Sequence, residues 1–187
     1  IMEGTFGHYV WRAAAYGGKA FLCGRRKIGF DVGPKGEPIS VESLMLESDD
    51  GIVWKRRATF QEIAGDETAF LFDRDGGVVG IGRRRGTAQL LRSEPPYEEW
   101  SRGDLDRHIG GPLIANWGGR MVVGGRRSTE HGPRTSMCWL VGDQLQEFAE
   151  LPSGGDNSYP GFVAITPSMA VMSWYCLLYT SPSPRDN

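Results

Sequence analysis

The stretch Gly110–Arg127, GGPLIANWGGRMVVGGRR, decides the fold. The apolar run Leu113–Ala115 leads into Gly118-Gly119, and a second run, Met121–Val123, leads out and closes on Gly-Gly-Arg-Arg. Paired glycines between two apolar runs mark a tight hairpin, because such turns need positive φ and Gly accepts it most cheaply. The module stands again at Tyr9–Arg26 (YVWRAAAYGGKAFLCGRR) and at Glu67–Arg85 (ETAFLFDRDGGVVGIGRRR). A fourth copy opens at Ser158–Tyr175, with Pro167-Ser168 in place of the glycine pair. Units that return roughly every 40–60 residues, each built from strands, are the signature of a β-propeller or a similar array.

Each unit reads as four strands. In the second unit these are Thr68–Phe72, Val78–Gly82, Thr87–Leu91 and an outer strand around Tyr97–Trp100. In the third they are Leu113–Ala115, Arg120–Val123, Thr135–Val141 and Leu145–Leu151. The runs are short and rich in Val, Ile, Leu, Phe, Trp and Cys, as strands covered on both faces should be. No stretch sustains a 3.6-residue period with caps. The expected class is all-β: a partial propeller of four-stranded antiparallel blades over residues 1–175, cut from a six-bladed parent. Trp11, Trp117, Trp139 and Trp174 are expected to pack between blades rather than to serve as sugar platforms.

Composition narrows function. A formal net charge of −2 gives no general attraction for polyanions, and the Arg-Arg pairs are scattered and balanced by acids. Nucleic acid is therefore not an expected partner, and no apolar run reaches the roughly 20 residues of a membrane span. Cys23 and Cys138 sit in apolar runs and read as small buried hydrophobes. His8, His108 and His131 are the only histidines, and their spacing resembles no zinc ligand set, so no metal or cofactor is expected. Residues 176–187 are set apart: CLLYTSPSPRD, Cys176–Asp186, resembles a translated sequencing adapter and is expected to lie outside the fold. No signal peptide is visible. The chain opens on Ile1, so the compartment is left open, as is the oligomeric state.

The segment Glu47-Ser48-Asp49-Asp50-Gly51-Ile52-Val53-Trp54 resembles the Asp-box, Ser-x-Asp-x-Gly-x-x-Trp, with Asp49, Gly51 and Trp54 matching and Glu47 in the Ser position. It is expected as the hairpin between a third and a fourth strand, with Asp capping turn amides and Gly at positive φ. Arg92–Trp100 is a degenerate equivalent one unit later. With the repeat, these motifs make residues 9–175 similar to the sialidase (neuraminidase) superfamily, particularly its bacterial propellers.

The resemblance implies an exo-glycosidase site for an acidic sugar. Glu67 opens an inner strand where the family has its Glu base, and Tyr159, in Ser158-Tyr159-Pro160-Gly161, matches the nucleophilic Tyr. Arg83 and Arg134 correspond to two arginines of the carboxylate-binding triad. Arg12 has the strand position of another, without the Ile-Pro that follows it in the family. Asp31 is the nearest candidate for the acid/base Asp. The chemistry is coherent. Guanidinium groups hold a carboxylate bidentately, and a neutral Tyr is not repelled by the anionic substrate as a carboxylate nucleophile would be. The fragment is expected to be inactive alone. A non-catalytic glycan- or protein-binding propeller, and a purely structural domain, are the competing readings.

Overall fold

The computed structural model describes residues 2–28 and 40–177, and Asp31 lies outside them. Its described residues contain fourteen strands and no helix. The chain divides into two compact units, Ile1–His108 and Ile109–Asn187.

The first unit holds two antiparallel four-stranded sheets. One runs β1 (Tyr9–Tyr16), β2 (Lys19–Lys27), β3 (Val41–Ser48), β4 (Lys55–Gln61). The other runs β5 (Thr68–Phe72), β6 (Val78–Gly82), β7 (Gln89–Ser93), β8 (Ser101–Asp104). Phe21, Cys23, Met45, Ala58 and Phe60 of the first sheet bury themselves against Phe70, Val78, Leu91 and Tyr97 of the second. In the second unit, β9 (Gly110–Trp117), β10 (Arg120–Thr129), β11 (Gly132–Val141) and β12 (Gln144–Glu150) form a third such sheet. A two-stranded sheet, β13 (Asn157–Thr166) and β14 (Met169–Cys176), packs Phe162 and Met172 against its Leu113, Val122 and Met137. Trp117 and Trp139 stack at 5.5 Å beside that cluster, in the packing role expected of them.

The inner hairpins follow the sequence reading. Ala69 pairs with Ile81 and Phe72 with Val78, while Ile114 pairs with Val123 and Ala115 with Val122. Gly118 and Gly119 take φ of 58° and 78°, matching Gly17 and Gly18 at 57° and 77°. The outer half of the second sheet corrects the expectation. Its third strand runs Gln89–Ser93 rather than Thr87–Leu91, and the fourth is Ser101–Asp104, with Tyr97–Trp100 in the connecting hairpin. β8 is exposed along its length and pairs through backbone alone, so it carries no apolar pattern to read.

The Asp49–Trp54 hairpin joins β3 to β4 as expected, but the capping residue is Asp50 rather than Asp49. Asp50 Oδ1 accepts from the Ile52 and Val53 amides at 2.8 and 2.9 Å, and Ser48 Oγ accepts from Gly51 N at 2.9 Å. Asp49 instead meets Lys19 at 3.2 Å on the surface. Trp54 Nε1 donates to Gly51 O, and one sheet later Trp100 Nε1 donates to Tyr97 O at the same three-residue spacing. Tyr97, at φ 65°, thus fills the place that Gly51 fills at 74°.

Candidate functional site

In the first unit the structure brings together Arg12, Glu67 and Arg83. Thr68 pairs with Gly82 in the β5–β6 hairpin, so the residues just outside the ladder, Glu67 and Arg83, face each other. Arg83 N donates to Glu67 O at 2.8 Å, and Arg83 Nη1 donates to Glu67 Oε1 at 3.0 Å. Glu67 is only 4% exposed. A carboxylate so enclosed stays charged only with close cationic or hydrogen-bonding partners. Arg12 supplies a further charge: burial pulls its guanidinium below the ordinary value, and the attraction of Glu67 opposes that shift. β1 breaks register between Val10 and Ala13, which places Arg12 in the irregular part of the strand.

Two residues outside the sequence reading join this cluster. Asp66 Oδ1 accepts from Arg25 Nη1 at 2.5 Å and from Glu67 N at 2.9 Å, and Asp66 Oδ2 lies 3.6 Å from Arg83 Nε. Three arginines therefore surround two carboxylates, leaving an excess of one positive charge. Below them Thr68 Oγ1 meets Ser43 Oγ at 2.9 Å, and Ser43 Oγ meets the buried Cys23 thiol at 3.4 Å, which burial holds protonated. Arg25 also borders an open groove of about 640 Å³, with Phe6, Tyr9, Arg26, Lys27 and Ile28 on its rim. A larger cavity, about 710 Å³, lies along the acidic β7–β8 hairpin (Glu94, Glu98, Glu99) and contains none of the expected site residues.

The signal that would have found Asp66 is a second repeat. Gly65-Asp66-Glu67-Thr68 before β5 matches Gly155-Asp156-Asn157-Ser158 before β13. Each Asp takes the first arginine of a Gly-Arg-Arg strand end: Arg25 at 2.5 Å in one unit, Arg126 at 2.6 Å in the other. Where the first unit has Glu67, the second has Asn157. Asn157 is fully buried and neutral, accepting from Thr135 Oγ1 and donating to Pro133 O and Gly155 O. A buried carboxylate at a place that an amide fills without charge is a departure from the repeat's structural need.

The other two expected residues lie in the second unit. Arg134 is in β11, donates to Pro133 O at 2.9 Å and lies 3.8 Å from Glu150, which also takes Arg127. These side chains line an open cavity of about 520 Å³ with Thr129, Glu130 and His131. Tyr159, at φ 54° near the start of β13, stacks on Tyr175 of β14 with ring centroids 5.6 Å apart. Tyr175 donates its phenol to Asp156 and is pushed up to about 12 by that bond. Among the described residues no group of three or more His, Cys, Asp and Glu is disposed to hold a metal.

No family model matches the sequence, and no curated protein matches it. Among solved structures the chain is similar to a family 117 glycoside hydrolase produced by the marine bacterium Zobellia galactanivorans. The TM-score is 0.59 at 11% identity, over 92% of this chain and 67% of that one. At such identity the likeness concerns the fold: an all-β protein whose four-stranded sheets correspond to blades of a propeller-like glycoside hydrolase.

Proposed function

We propose that the chain is part of a sialidase-like glycoside hydrolase domain acting on an acidic sugar. Arg12, Arg25 and Arg83 of the first unit receive the sugar carboxylate. The observation that carries this is the gathering of three arginines around the half-buried Asp66 and the buried Glu67, which leaves a net positive charge and guanidinium groups suited to bidentate contact. The fold of the structural neighbour supports the glycosidase class. The resemblance assigns roles residue by residue: a general base to Glu67 in the first unit, and a nucleophile to Tyr159 and a carboxylate ligand to Arg134 in the second.

One observation favours the non-catalytic alternative, a glycan-binding propeller. Glu67 Oε1 is already committed to Arg83, which suits a carboxylate that positions arginines better than one that must take a proton. Titration calorimetry with N-acetylneuraminate and with glucuronate tests the binding reading. Arg83→Ala and Arg12→Ala should each weaken binding about 10- to 100-fold, the worth of a hydrogen bond to a charged group. Absence of heat with either acid sinks it. Release of fluorophore from a fluorogenic sialoside by a longer protein that carries this segment, abolished by Tyr159→Phe with the circular dichroism unchanged, separates hydrolase from binder.

A further inference from the structure

We propose that the Tyr175 ring, backed by Tyr159 and flanked by Asp156 and Arg126, forms a sugar subsite in Ile109–Asn187 next to the Tyr159 hydroxyl, one suited to a neutral pyranose. This rests on the carbohydrate reading and adds a different kind of sugar unit to it.

The rings are 39% and 42% exposed, so the pair presents aromatic surface to solvent. Aromatic faces take the C–H face of a pyranose, while polar groups at the ring margin take its hydroxyls. Asp156 provides that margin. It accepts from Tyr175 Oη and, at 2.6 Å, from Arg126 Nη1. A carboxylate offers about four acceptor positions, so capacity remains for sugar hydroxyls. Arg126 and Asp156 cancel in charge, unlike the arginine-rich cluster of the first unit, and nothing in the pair attracts an anion. The preference is therefore for an uncharged sugar.

The placement of Tyr159 is enforced. A bulky residue at φ 54° is uncommon, and such residues concentrate where function requires a particular direction. β13 breaks register between Ser158 and Gly161, which frees Tyr159 from regular pairing. Gly111, at φ 55°, lies directly against the Tyr159 ring and Ser158 Oγ, and any side chain there would run into both. The ladder pair Ser158–Tyr175 sets Tyr175 beside it. The Asp156 bond keeps the Tyr175 phenol protonated and oriented through neutral and mildly alkaline pH.

Saturation-transfer NMR of the whole chain with methyl β-galactopyranoside and methyl β-glucopyranoside tests the subsite, with N-acetylneuraminate run in parallel. At least one neutral glycoside should receive saturation. Tyr175→Ala should reduce the transfer to background, and Asp156→Asn should weaken binding about threefold to tenfold, the range of one aromatic or hydrogen-bonding contact. Arg83→Ala should leave it unchanged. An ultraviolet titration confirms the network: one tyrosine should titrate near 12 and return to the ordinary range in Asp156→Asn. If Tyr175→Ala unfolds, Tyr175→Phe decides, since it keeps the ring and should retain most of the transfer while Asp156→Asn weakens it. No transfer to either glycoside, or transfer that survives Tyr175→Ala in a folded protein, overturns the proposal. Loss of N-acetylneuraminate binding alone would sink the acidic-sugar reading and leave this subsite standing.

Discussion

Asp49 and Asp50 are neighbours of the same type with opposite duties. Asp50 holds two turn amides and accepts the Ser48 hydroxyl, and the Val53 and Ile52 amides are the main causes that hold its carboxyl below the ordinary value of 3.8. Asp49 stands in solvent beside Lys19, where an ion pair is worth little. Asp50→Ala should therefore lower the urea midpoint clearly at neutral pH, and Asp49→Ala should leave it nearly unchanged. A carboxyl depressed by folding stabilises above its unfolded value, and the benefit fades as pH falls through the folded one. The gap between wild type and Asp50→Ala should accordingly be full at neutral pH and narrow below 3.8. A gap that persists in acid, measured by urea titration, would assign the effect to packing instead.

The two Trp-anchored hairpins show what a repeat conserves when its letters change. Gly51 and Tyr97 share the positive-φ position before a Trp three residues on, yet Tyr is among the least suited residues for it. The left-handed conformation costs roughly 1–2 kcal/mol, while removing a buried aromatic side chain costs about 3–5. Tyr97 is buried and donates to Gly76 O at 2.9 Å, so burial wins. Tyr97→Gly should destabilise by about 1–4 kcal/mol despite relieving the backbone, and Tyr97→Phe by about 1, both read from urea midpoints. This exchange also explains the limits of sequence reading. The Gly-Gly hairpins were legible because their chemistry is local. The likeness of the Arg92–Trp100 hairpin to the Asp49–Trp54 one was legible only through its Trp, and Tyr97 looked like a strand residue because nothing in one sequence says that an aromatic sits at positive φ. Glu67 and Arg83 could be paired from their places flanking one hairpin. Asp66 and Asp156 escaped notice because their arginines lie in the preceding sheet, far off in sequence.

At the scale of the molecule, three four-stranded sheets and one two-stranded sheet repeat a single plan. The expected boundary after Tyr175 falls within hydrogen-bonded chain: Cys176 pairs with Asn157, and Leu177 donates to Asp156 O and accepts from Gly154 N. The reading of residues 176–187 as an adapter-derived tail remains a proposal with a simple check. Truncation after Leu177 should leave the thermal midpoint unchanged. Truncation after Tyr175 should destabilise by about 1–3 kcal/mol, the worth of those backbone bonds. Equal losses would show that the last ten residues belong to the fold.

The strand β14 has one further consequence. It stands at the edge of its sheet and, like β13, contains no Asp, Glu, Lys or Arg, while Val163, Ile165, Met169 and Val171 are exposed beside it. Edges are ordinarily guarded by a charge or a proline. For the handling of this protein, that means a strand edge on which copies of the chain can pair, so association should rise with concentration. Ser173→Lys, which puts a charge on that edge, should reduce the association, read by light scattering.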